Sequence, residues 1–224
     1  MNKMYDYNYP AEPIYNAKID TTGLNSVTLG CDERGKVERL GPFGNLESDT
    51  TINYLIGMHT YESKAHKAVF DVVIEHESEL RYKYYIYKIS VEQPERKGYA
   101  RRMGQFLAQD FIYPDVKENR PDFVIDVHSN HGTVGYSNYT STRFLYAPGL
   151  DEISTKYMNQ LLDVIDELEY YAPKSQSSPQ FITIPISKEN IPVIVFETYG
   201  YEQMRDTYDL AQKVVKEVDN LEYK

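Results

Sequence analysis

From Thr51 onward the sequence alternates between short apolar runs rich in β-branched residues and longer segments whose apolar residues recur at helical period. That alternation leaves few architectures open. Strands separated by helix-length segments cannot pair as hairpins and return instead through crossovers, which builds a parallel sheet. Residues 51–58 (TINYLIGM), 84–91 (YYIYKISV), 123–127 (FVIDV) and 192–196 (PVIVF) read as strands, the last apolar on both faces and therefore central. Helical period appears over 62–76, with Ala65, Ala68, Val69, Val72 and Val73, and over 96–112, with Ala100, Met103, Leu107, Ala108 and Phe111. Residues 150–168 and 203–221 read as two further helices, and Asp151 stands where it can cap the first of them or favour its first turn. The stretch up to Ser48 is rich in Gly, Asp, Asn and Pro, with one β-like run at 26–30, and suits irregular or antiparallel edge structure. The expected fold is α/β, a three-layer α/β/α sandwich around a mixed, largely parallel sheet, with residues 1–224 as a single domain. In such sheets ligands gather at the carboxyl ends of the strands.

Composition narrows the function. Hydrophobic residues make up 41% and charged residues 26%, a globular balance that leaves no need for disulfide or metal staples. The formal net charge of −10 opposes a main role in gripping nucleic acid or an anionic membrane, both of which need a positive field. A single cysteine, Cys31, excludes an intrachain disulfide and a thiolate-based zinc site. The opening MNKMYDYNYPAEPIYN shows no apolar core and no small-residue cleavage site, and no apolar run is long enough to span a bilayer. The expectation is a soluble, cytoplasmic protein of unspecified oligomeric state. Nor does the sequence hold a Gly-x-Ser-x-Gly elbow or a Gly-x-x-x-x-Gly-Lys phosphate loop.

Three strand ends carry costly polar residues. In GMHTYE, His59 and Glu62 stand three apart, so a helix starting nearby lets an imidazole and a carboxylate converge, half of a zinc site. A capping acid beside a surface histidine fits the same letters. In DVHSNHG, alternation puts Asp126 and His128 on one side of a strand, where Asp126 could orient an imidazole from behind. His131 could ligate in place of His128, and a structural histidine in a turn is the plain alternative. In PVIVFET, Glu197 ends an apolar strand, where an acid is either paired or used as a general base.

In this order and spacing the three segments resemble the zinc carboxypeptidase superfamily. GMHTYE is similar to its His-x-x-Glu motif, VIDVHS to the segment of its third ligand in the succinylglutamate desuccinylase and aspartoacylase branch, and VIVFET to the strand of its catalytic glutamate. The resemblance runs from about Thr51 to Leu221. It implies that His59, Glu62 and His128 hold one Zn²⁺ and that Glu197 is the catalytic base in the hydrolysis of an amide or peptide bond. The implied partner is a small-molecule or peptide substrate. Thr60 stands where that branch usually has Gly, and the family's Asn-Arg pair has no clean match. Asn119-Arg120 lies too near the His128 strand, which leaves Arg101, Arg102 or Arg143 as candidate substrate-binding arginines. With no further β-domain after Glu197, the loops at 137–143 and 170–183 are expected to cover the pocket. Tyr136, Tyr139, Tyr199 and Tyr201 belong either to its wall or to proton donation. A member that binds a peptide or acyl amino acid without turning it over fits the same motifs, and so, less well, does a metal-independent α/β domain with incidental histidines.

Overall fold

The computed structural model describes residues 18–135, 137–174 and 176–223. Eight strands form one sheet: β1 (Ser26–Asp32), β2 (Gly35–Gly44), β3 (Thr51–Ile56), β4 (Lys83–Val91), β5 (Phe123–Asn130), β6 (Phe144–Tyr146), β7 (Glu169–Tyr170) and β8 (Val193–Tyr199). Seven α-helices accompany them: α1 (Ser63–Glu75), α2 (Lys97–Leu107), α3 (Tyr113–Asn119), α4 (Glu152–Val164), α5 (Ser178–Phe181), α6 (Thr183–Lys188) and α7 (Met204–Asn220). The strand order is β1-β2-β4-β3-β5-β8-β6-β7. β4, β3, β5 and β8 run parallel, β2 and β6 run against them, and β1 pairs antiparallel with β2. This is the mixed, mostly parallel sheet between helices that the alternating pattern requires.

Apolar side chains fill both sides of the sheet. Ile52, Tyr54, Phe123, Ile125, Ile194 and Phe196 pack with α1, α4 and α7 on one face. Leu55, Tyr87, Val124 and Val193 pack with α2, α3 and α6 on the other. The five apolar residues expected to line α1 are all buried, each contributing roughly 1.5–3 kcal/mol in the case of the valines. β5 is buried at every position, so His128 and Asp126 are embedded rather than perched on an edge.

Two glycines fix how the chain leaves β3. Gly57 has φ +87°, and a Cβ there would lie 2.1 Å from the Ile89 carbonyl oxygen. Only glycine tolerates that backbone and that approach. Gly104 of α2 sits against Met58, whose carbonyl oxygen would be 1.9 Å from a Cβ. Helix α2 is thereby pressed onto the segment that carries His59.

The structure departs from the sequence reading at helix ends and in the shortest strands. The helix expected over 96–112 stops at Leu107 and continues as a single π-helical turn, Ala108–Ile112, before α3. The aromatic ring of Phe111 fills the space over Gly30 there, and Pro114 opens α3. The helix expected over 150–168 is shorter, because Leu150 has φ +52° and the chain leaves helical conformation at Ile165, going into a turn. Asp151 does cap it, accepting from the Ser154 N–H at 2.8 Å. The irregular N-terminal stretch contains β1 and the ten-residue β2, an antiparallel edge. β6 and β7 are too short to announce themselves. None of the described helices is long and apolar enough to cross a membrane.

Candidate metal centre

The turn after β3 brings the first two groups together. A 3-10 turn, Thr60–Glu62, follows His59, and the Glu62 N–H donates to the His59 carbonyl at 3.0 Å. This closes the three-residue spacing, so His59 Nδ1 lies 2.8 Å from Glu62 Oε1. The third group arrives from β5, where His128 Nδ1 lies 2.7 Å from Glu62 Oε2. The Ser129 N–H also donates to Oε2, at 3.3 Å. Both imidazoles therefore turn the same nitrogen toward one carboxylate. The ligand atoms of His59, Glu62 and His128 lie within 4.8 Å of one another, and all three residues are buried. Among the described residues they form the one such group placed to hold a metal ion.

The donor set fits a divalent ion. Two imidazole nitrogens and a carboxylate oxygen are ordinary zinc ligands, held at ~2.0–2.2 Å. Behind them, His128 Nε2 stands 3.0 Å from Asp126 Oδ2 without the alignment of a hydrogen bond, and neither carboxylate oxygen of Asp126 has another hydrogen-bond partner. A fully buried carboxylate left with one imidazole neighbour is the arrangement by which a ligating histidine is oriented and made more basic.

Charge is divided unevenly here. Burial opposes ionisation of Glu62, yet the imidazoles of His59 and His128 hold it well below the usual carboxylate range. Burial pulls His59 down to about 4 against the attraction of Glu62. His128, also disfavoured by burial, is held well above the usual imidazole range by Asp126 and Glu62. His59 is thus the neutral ring of the pair.

Glu197 lies beside this group by backbone register. β5 and β8 pair in parallel with His128 opposite Glu197, so both side chains project from the same face of the sheet. Burial pushes the Glu197 carboxyl up to about 8; the His128 charge opposes the rise and Glu62 adds to it. Two neutral amides hold it: Asn130 Nδ2 donates to Oε2 at 3.3 Å and Gln176 Nε2 to Oε1 at 3.4 Å. Gln176 also donates to the Tyr139 hydroxyl at 2.9 Å and accepts from Tyr146.

A cleft of about 140 Å³ opens onto His59, Glu62 and Glu197. Its walls include Ser137, Tyr139, Gln176 and Ser178, from the two loops expected to cover it, together with Arg101 and His131. A larger hollow of about 760 Å³ borders the same 3-10 turn through Thr60 and Ser63 but takes in neither the three ligands nor Glu197. The candidate site residues His59, Glu62 and Glu197 belong to the smaller cleft.

The three candidate arginines part company. Arg101 places Nη1 3.5 Å from Glu62 Oε1 and lines the cleft. Arg102, exposed on α2, is not among its lining residues. Arg143 is engaged with half-buried Glu202, with Nη2 at 2.6 Å. Arg120 of the Asn-Arg pair donates to the Glu189 carbonyl at 3.0 Å. His131 stacks edge-on with Tyr201 rather than joining the ligands. Tyr199 lies beside Tyr201, and Tyr136 falls outside the described residues. Sequence reasoning missed Gln105, Asn130 and Gln176, amides whose spacing carries no signature.

No protein-family model matches this sequence, and no curated protein matches it. Solved structures do resemble the fold. A metallo-carboxypeptidase from Pseudomonas aeruginosa aligns with 89% of this chain at 11% identity and a TM-score of 0.59. One from Burkholderia cenocepacia aligns with 89% at 9% identity and a TM-score of 0.61. The cell shape determinant Csd4 of Helicobacter pylori, solved with a bound tripeptide, aligns with 85% at 9% identity and a TM-score of 0.55. This chain spans 64% of the length of each carboxypeptidase and 56% of the Csd4 protein. The likeness is one of fold: the chain has a carboxypeptidase-like architecture, with a buried His-Glu-His group that could hold a metal.

Proposed function

We propose that the chain is a zinc-dependent amidohydrolase or peptidase, organised like the desuccinylase and aspartoacylase branch of the zinc carboxypeptidases. The observation that carries this reading is the convergence of His59, Glu62 and His128, with Glu197 set opposite His128 by strand register. Held by those three residues, Zn²⁺ would supply Lewis acidity toward an amide carbonyl and lower the pKa of a bound water toward ~7.

The remaining work falls to the chain itself. Glu197 accepts the proton of the attacking water at a carboxylate oxygen and returns it to the leaving nitrogen. Asn130 and Gln176 keep that carboxylate aimed. With a dication bound beside it, Glu197 would hold its proton less tightly than the raised value set by burial and Glu62 implies. Arg101 is the arginine in position to take up negative charge on the carbonyl oxygen or on a substrate carboxylate. Its nearness to Glu62 supports turnover over the alternative of a member that only binds. The small polar cleft suits a short acyl amino acid or a peptide end, and the tripeptide held by the Csd4 protein supports the second.

The test is zinc content together with hydrolysis of a panel of N-acyl amino acids and short peptides. Glu197→Gln is expected to retain one zinc per chain and lose at least about 10²-fold in kcat, the usual weight of general base catalysis. His59→Ala is expected to lose the metal. Undiminished turnover in the first variant would remove Glu197 from its role.

A further inference from the structure

Gln105 is buried on α2, one helical turn beyond Arg101, and the mechanism above gives it no task. Its side-chain amide faces His59 Nε2 at 3.4 Å and the Ser177 hydroxyl at 2.9 Å. Residues at i and i+4 share a helical face, so α2 delivers a guanidinium to Glu62 and an amide to the far side of the His59 ring. The close packing of Gly104 on Met58 fixes that helix against the ligand turn.

The ring has two tautomers to satisfy. Facing Glu62 Oε1 at 2.8 Å, Nδ1 of the neutral ring carries the proton and Nε2 is left as an acceptor. The Gln105 amide N–H then donates to Nε2. Ligation through Nδ1 reverses this: Nδ1 offers its lone pair, the single ring proton resides on Nε2, and Nε2 needs an acceptor. An amide turned by 180° about its last torsion keeps its shape and presents Oε1 at the same point. There the oxygen accepts from His59 Nε2–H and, on its second lone pair, from the Ser177 hydroxyl. A carboxylate would serve only the second tautomer and a thioether neither.

We propose that Gln105 is a positioning residue for the metal site, a two-way hydrogen-bond partner that holds the His59 ring in one orientation in both tautomers. This inference rests on the metal-site reading above. Its test is the zinc affinity of the 224-residue chain, measured by competition with a chromophoric chelator, together with the rate of zinc release into excess EDTA. Gln105→Met, close in volume but without hydrogen bonding, is expected to bind zinc 10–100-fold more weakly, the usual effect of removing a partner behind a ligand. Gln105→Glu restores the acceptor and is expected to bind at least as tightly as the parent and to release zinc more slowly. A purely structural role for Gln105 predicts the opposite order, because a buried carboxylate disturbs packing more than a thioether does. Parental affinity in Gln105→Met, or Gln105→Glu as weak as Gln105→Met, overturns the proposal. Zinc binding that is lost in His59→Ala but unchanged in Gln105→Met sinks this inference alone, whereas a parent chain that binds no zinc sinks the metal reading with it.

Discussion

His66 is buried on α1, and its Nε2–H donates to the Val127 carbonyl at 3.0 Å. Burial pulls its pKa from 6.5 to about 4, so between those values the unfolded chain binds a proton that the folded chain refuses. Stability therefore falls as pH drops through that window, by about 3 kcal/mol across its full width. In urea unfolding at pH 7 and pH 4.5, His66→Gln is expected to lose about 2 kcal/mol less than the parent over this interval. An equally steep decline would place the acid sensitivity elsewhere. Single residues were unevenly legible in the sequence. Asp126 and His128 could be placed on one side of a strand because alternation is a strict geometric rule. Asn130, Gln105 and Gln176 could not, since an amide is equally at home on a surface, in a cap or against a ligand. Of three arginines with equal claims in the sequence, only contacts made by distant segments separate Arg101 from Arg143, which Glu202 occupies.

Helices and strands were more readable than their ends. Alanines and valines at helical spacing gave α1 to within a residue, and Asp151 marked the start of α4 through its cap. The break after Leu107 was hidden, because the apolar pattern runs on through Ala108 and Phe111 while the backbone widens into a π turn. α2 is also where element packing and the site meet. Adding a methyl group at Gly104 would force α2 away from the Met58 carbonyl, a backbone atom with no rotamer to relax. Gly104→Ala is expected to cost about 1–3 kcal/mol by overpacking. It should also weaken zinc binding, because Arg101 and Gln105 move with the helix. Denaturant melts in EDTA and chelator competition separate the two effects, and parental values in both would show that the contact yields freely.

At the level of the whole chain, the candidate ligands come from a turn and a strand, Glu62 and His128 being 66 residues apart. An ion held between them stabilises the folded form alone, by about 4 kcal/mol at a free concentration near a thousand times Kd. For a chain of this length that corresponds to a Tm increase of about 8–16 °C. Zinc is expected to produce such a shift, EDTA to reverse it, and His128→Ala to abolish it; an equal shift in His128→Ala would locate the ion elsewhere. The layered architecture was open to reading from sequence because alternation of element type is a property of the entire chain and survives errors at every boundary. The edge strands β6 and β7 were not, since two or three residues cannot display a period. The pairing of β5 with β8 reaches furthest. Because main-chain hydrogen bonds lay His128 and Glu197 side by side, the backbones that carry the candidate ligand and the candidate base are one interstrand spacing apart, ~4.8 Å, a length common to all sheets and independent of side-chain identity. Substitutions in the covering loops can reshape the cleft, while the register of these two backbones stays constant for as long as the sheet exists.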